Sequence, residues 1–208
     1  MRTWNRRAIL LSGTAALAAP FIARGQAPIE LKLGHVLSES STYHACATKL
    51  AELVSARTGG SIKINIFPNS ALGGEVRLVQ TARQGGIDLF FAAQPVLENT
   101  IREISLLSLP YLFDSMNQAN KVLQGPFGSK MLEPFERFGL LGLSWFQVFE
   151  RSVVTSRPFK TPEEAKGLKI RVLQSPGYVE TYKRLGMQPT PTAYSELFLA
   201  LQNGIVDA

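Results

Sequence analysis

Two histidines and one cysteine are the entire supply of near-neutral acid–base and thiol chemistry in this chain. His35, His44 and Cys46 have no Cys/His partners at zinc-site spacing, and no His-Glu-x-x-His helix exists. Ser144 follows Gly142-Leu143 but precedes Trp145-Phe146, so the elbow that exposes a hydrolase serine is missing. Neither the dinucleotide nor the phosphate-loop glycine pattern occurs, and the glycine pairs at 59, 73 and 85 read as helix ends and turns. Cys46 falls on an apolar helical stripe and reads as an inert core residue, with His44 at its edge. His35 closes a strand pattern and is placed to line a cleft. No catalytic residue and no cofactor motif emerges. What remains is one cation in an informative place. In Leu168-Lys169-Ile170-Arg171-Val172 the apolar residues share one face, so Arg171 leaves the core near the carboxyl end of its strand. A guanidinium there offers a carboxylate two parallel donors. On the strand pattern alone, a solvated arginine paired with a surface acid is the commoner outcome.

The elements around these residues follow from periodicity. Ile29 to Leu33 alternates as a strand, and Ser41 to Thr58 carries Tyr43, Cys46, Ala47, Leu50, Leu53 and Val54 at helical spacing. Gly59-Gly60 stops that helix, and Ile62 to Ile66 alternates again. Gly73 to Gln84 predicts a second helix, and the apolar run Ile87 to Ala93 a strand buried on both faces. This β-α-β-α-β order with short connections predicts an open parallel sheet whose ligands bind beyond the strands' carboxyl ends. His35, Ser38 and Gln94 all follow predicted strands. Helical patterns at Ser115 to Leu123 and Phe127 to Phe138 flank the sheet, and Leu140 to Phe146 and Phe149 to Thr155 read as extended. A lobe boundary is expected near Glu150, giving a first α/β lobe over 28–150 and a second over 151–208. The second restarts with an acidic helix start at Thr161 to Glu164, the strand Leu168 to Val172 and a helix over Ser175 to Leu185. It ends with a helix over Ser195 to Gln202 and a strand opening at Ile205-Val206.

Length, at 208 residues, and 45% apolar composition suit one large or two small globular units. The net charge of +6 is misleading, because Arg2, Arg6, Arg7 and Arg24 lie in the first 27 residues, which hold no acid. Beyond them 18 basic residues face 16 acidic ones, which argues against a nucleic-acid partner. Residues 1–27 combine a basic start, the apolar run Ala8 to Ala23 and small residues at Gly25 and Ala27, as in an export signal. Arg6-Arg7 resembles the twin-arginine variant. The run is shorter than the roughly 20 residues needed to span a bilayer, so the processed chain is expected to be periplasmic and not membrane-spanning.

Five strings in order carry a resemblance: FPNSALGGE from Phe67, QGGIDLFFA from Gln84, LPYLF from Leu109, RPFKTPEEAKGLKIRV from Arg157 and PTPTAYSELFLALQNGIVDA from Pro189. Together they resemble the solute-binding proteins of tripartite ATP-independent periplasmic (TRAP) transporters, from about Ile29 to Ala208. The resemblance implies an α/β, two-lobed clamshell of the periplasmic-binding-protein type, type II-like. Such a receptor closes on a small organic acid and delivers it to membrane permease subunits, without catalysis. It also implies that Arg171 pairs with the ligand carboxylate and that Arg151 matches a second arginine near it. Tyr194 matches an aromatic position that packs on the ligand, and Glu75 a polar position facing the cleft from the first lobe. His35 and Gln94 join these as lining residues by geometry. A C4-dicarboxylate, keto acid, sugar acid or aromatic acid all satisfy the same arginine. Two rival classes share these residues: a periplasmic α/β enzyme acting on a small organic acid, and a ligand-sensing partner of a signalling receptor. The family typically continues about a hundred residues past the position of Ala208. The second lobe is therefore expected to be incomplete, with uncovered apolar surface and a poor ability to close.

Overall fold

A computed structural model describes residues 27–147 and 151–208. The export-signal reading of residues 1–27 falls outside them except for Ala27, as does the boundary position Glu150.

Three parallel strands form the first sheet: β1 (Ile29–Gly34), β2 (Ile62–Phe67) and β3 (Leu89–Phe90), in the order β2-β1-β3. Leu31 pairs with Ile64, and Leu33 with Ile66 on one side and Leu89 on the other. Between β1 and β2 runs α1 (Thr42–Arg57), whose N-cap Ser41 accepts from the His44 N–H at 3.3 Å. Gly59 and Gly60 take the positive φ angles of 59° and 80° that turn the chain into β2. Between β2 and β3 runs α2 (Glu75–Arg83), which packs Leu78 and Val79 inward. The strand expected over Ile87 to Ala93 is shorter: only two residues pair regularly, although Asp88 and Phe91 extend the bonding to Lys32 and Gly34. It is half-buried rather than enclosed on both faces, because β3 is an edge of the sheet among the described residues. Cys46 is exposed, contrary to the core expectation, since the inward face of α1 is set by Tyr43 and Ala47.

A short α3 (Gln94–Leu97) and a 3₁₀ segment (Arg102–Ser108) follow β3. Then come α4 (Met116–Leu123) and α5 (Pro126–Leu132). The single helix expected over Phe127 to Phe138 gives way to 3₁₀ geometry at Glu133–Phe138, where Pro134 lacks the N–H an α-helix needs. Val79, Leu97, Ile101, Ile104 and Phe135 form this lobe's largest core cluster, with Trp145 packed against it.

The second sheet pairs β4 (Lys169–Val172) with β5 (Gln188–Pro191) in parallel, Ile170 opposite Pro189. The two prolines in β5 hid this strand from the sequence reading. They fit because the donors to β4 are on alternate residues: Gln188 N–H bonds the Leu168 carbonyl and Thr192 N–H the Val172 carbonyl. Between the strands lies α6 (Pro176–Arg184), capped by Ser175. Residues 162–167 make turns instead of the expected helix start. A 3₁₀ turn (Tyr194–Glu196) leads into α7 (Leu197–Gln202). Ile205-Val206, expected to open a strand, is not in one, and the backbone meets β4 only two residues later. Ala208 N–H bonds the Lys169 carbonyl at 3.2 Å and Arg171 N–H the Ala208 carbonyl at 2.6 Å, the parallel pattern on the other side of β4. This lobe has its own core of Ala165, Leu168, Ile170, Val172 and Met187. Phe198, Leu199, Leu201 and Ile205 stay exposed around α7.

Candidate functional site

Alternation along β4 buries Ile170 and Val172 and leaves Arg171 half-buried between them. The end of the neighbouring strand then fixes its head group: Nε and Nη2 donate to the Thr192 carbonyl at 3.0 and 2.8 Å. Both bonds occupy one edge of the planar guanidinium, so the Nη1–Nη2 edge is presented in a set orientation. Arg171 makes no ion pair among the described residues. Burial pushes its pKa down, and the nearby Arg151 pushes the same way, while Glu75 and Tyr194 oppose them. An anion at this place is therefore favoured by an oriented and partly desolvated cation.

Glu75 reaches the same place from the first lobe. It is the first residue of α2 and 9% exposed, and its Oε1 accepts from the Ala93 N–H at 2.8 Å. Burial raises its pKa, and the Ala93 bond, Arg151 and Arg171 pull it back. The two lobes touch here: a Cβ on Gly74 would stand 3.7 Å from that of Ala193, the neighbour of Tyr194. Tyr194 is 47% exposed at the start of its turn and electrostatically coupled to Arg171. Arg151 lies with its Cζ 5.7 Å from the Tyr178 ring centroid, a cation held over an aromatic face. Sequence reasoning passed over Tyr178 and Tyr43 as ordinary helix residues. Yet burial, with Glu75 adding to it and Arg151 opposing, pushes the Tyr43 hydroxyl up to about 12. Nothing in their helical spacing distinguishes them from core aromatics.

The other expected lining residues have partners of their own. His35 is 1% exposed, with Nε2 3.2 Å from His44 Nδ1 and its ring beside Tyr43 and Phe91. Its Nδ1 has no hydrogen-bond partner among the described residues. Burial lowers its pKa first and His44 second, with the Leu37 backbone opposing. Gln94 donates from Nε2 to the Ile104 carbonyl at 2.8 Å and to Ser108 Oγ at 3.2 Å, so its amide braces the 3₁₀ segment. Ser38 is exposed and holds Ser40 and Ser41 in a turn. Arg171, Arg151, Glu75 and Tyr194 are thus brought into one electrostatic neighbourhood, while the His35 ring contacts Tyr43 and the Gln94 amide bonds the 3₁₀ segment.

Comparison with known proteins agrees along most of the chain. The family model described as DctP, bacterial extracellular solute-binding protein, family 7, matches residues 33–208. A solute-binding protein of Roseobacter denitrificans is 31% identical over 208 residues, covering 100% of this chain and 64% of that relative. The 2,3-diketo-L-gulonate-binding periplasmic protein YiaO of Escherichia coli is 31% identical over 202 residues, covering 97% of this chain and 60% of that relative. Among solved structures, the sugar acid binding protein DctPAm of Advenella mimigardefordensis, in complex with galactonate, superposes with a TM-score of 0.84 at 31% identity. That match covers 87% of this chain and 59% of the other. The chain spans about three-fifths of the length of these relatives. Their two-lobed α/β architecture is the one described above.

Proposed function

The chain belongs to family 7 of the bacterial extracellular solute-binding proteins, and on that footing we propose that it is the receptor of a TRAP transporter that captures a sugar acid. The observation that carries this reading is the opposition of Arg171 and Glu75 across the two lobes. The Nη1–Nη2 edge of Arg171, oriented by Thr192, takes the ligand carboxylate. Arg151 adds positive potential beside it. At the other side Glu75 is a hydrogen-bond acceptor, which suits a hydroxyl and repels a second carboxylate. A ligand with one acid and several hydroxyls satisfies both ends, and a C4-dicarboxylate satisfies only one. The half-exposed ring of Tyr194 offers a face to the C–H side of a polyol chain. The galactonate held by the Advenella protein has this division of groups.

The cycle needs no bond making. Ligand enters between the lobes, the lobes close and exclude water, and the closed form docks on membrane permease subunits in the periplasm, where the acid is released unchanged. Among the described residues no helix is long and apolar enough to cross a membrane. The reading is tested by calorimetric titration of the full gene product with D-galactonate and with succinate. Micromolar binding of galactonate and at least tenfold weaker binding of succinate is expected. Equal affinities, or binding of neither, overturns it.

A further inference from the structure

The receptor reading leaves one buried acid without a role. Glu98 directly follows α3, is 5% exposed, and makes no ion pair among the described residues. Donors converge on it from two directions instead. From its own lobe the Ser108 hydroxyl donates to Oε2 at 2.7 Å. From the second lobe, Oε1 accepts from the Ser175 hydroxyl and, at 3.0 Å, from the Gly177 N–H. Ser175 itself accepts from the Tyr178 N–H at 3.2 Å, so a first-lobe carboxylate completes the cap of a second-lobe helix. The approach is close, since a Cβ on Gly177 would stand 3.4 Å from Glu98 Oε1 and 3.3 Å from the Ser108 Cβ. Asn99 adds a bond from Nδ2 to the Gln174 carbonyl.

We propose that Glu98 is the latch between the lobes, a positioning residue that holds them where Arg171 and Glu75 face one ligand; the proposal rests on the receptor reading above. Its geometry is steep in separation. If α6 withdraws by an ångström or two, the Ser175 and Gly177 donors are lost together, and the exposed carboxylate and helix end must be rehydrated. The latch is tied to the site by covalent proximity. Ser175 lies four residues after Arg171, and Tyr178, in the same turn as Ser175, carries the Arg151 guanidinium over its ring. Gln94 joins through Ser108, whose hydroxyl accepts from Gln94 Nε2 and donates to Glu98.

The test measures lobe separation directly. Spin labels at the exposed Cys46 and at a Lys183→Cys position on α6 report the distance between lobes in the full gene product. It is recorded without ligand and with saturating D-galactonate for the parent, Glu98→Ala and Ser175→Ala. The latch predicts longer or broader distances in both variants in at least one state, and no additional change when the two substitutions are combined. It also predicts galactonate release faster by roughly tenfold with the association rate unchanged. Glu98→Gln, which keeps an acceptor, falls between parent and alanine. Distance distributions that superimpose on the parent's in both states overturn the latch. A parent that ignores galactonate overturns the sugar-acid reading alone, because the ligand-free distances still report on Glu98.

Discussion

The Arg171 guanidinium spends one edge on a single backbone oxygen, the Thr192 carbonyl, through Nε at 3.0 Å and Nη2 at 2.8 Å. Arg171 lies in β4 and Thr192 directly follows β5, and the two strands are in register from Lys169 opposite Gln188 to Val172 opposite Pro191. The pairing of β4 with β5 therefore sets the direction of the cation. A lysine at position 171 has one ammonium and cannot both bond Thr192 along an edge and present a fork.

Glu75 tests the other end of the site. Its folded pKa lies above the ordinary value of 4.5, because burial outweighs the Ala93 bond and the two arginines. The folded chain then holds this proton where the unfolded chain has released it, so the contribution to stability falls as pH rises upward from 4.5. Glu75→Gln keeps an oxygen for the Ala93 N–H and removes the titration. Thermal melts of the variant are expected to lose that decline, while its galactonate affinity drops roughly tenfold. An unchanged pH profile together with unchanged affinity would show that the carboxylate faces neither a buried environment nor the ligand.

His35 is shifted the opposite way and gives the opposite sign. Its folded pKa lies below the ordinary 6.5, chiefly through burial and then through His44. The unfolded chain takes up the proton first as pH falls, so the His35 contribution is present above 6.5 and is lost on acidification below it. His35→Leu is expected to flatten the fall in melting temperature on acidification below 6.5. Nuclear magnetic resonance titration offers a second check, with the His35 ring remaining neutral at a pH where an exposed imidazole is half protonated. A slope identical in parent and variant contradicts the assignment.

The parts of the fold that were legible in the sequence are those where periodicity and punctuation agree. Gly59-Gly60 after α1, helix starts at Ser41 and Ser175, and the alternation of β4 are all local signals, and each stands within a residue or two of its expected place. The misses come from tertiary context. β5 was hidden because its prolines violate local strand preference and are tolerated only at positions that do not donate to β4. Pro134 converted half of an expected helix to 3₁₀ geometry. Arg171 could be placed on an outward face by alternation, but only the Thr192 bonds orient its fork. Glu98 was invisible, since its donors Ser175 and Gly177 lie more than seventy residues away in sequence.

The most direct measurement is calorimetric titration of D-galactonate into the full gene product and its Arg171→Ala variant. Removing one partner of a desolvated charge pair costs about 2 to 5 kcal/mol, so affinity is expected to fall roughly 30- to 4,000-fold with the fold retained. Equal dissociation constants and heats for the two proteins would contradict the claim that this arginine holds the ligand's acid group.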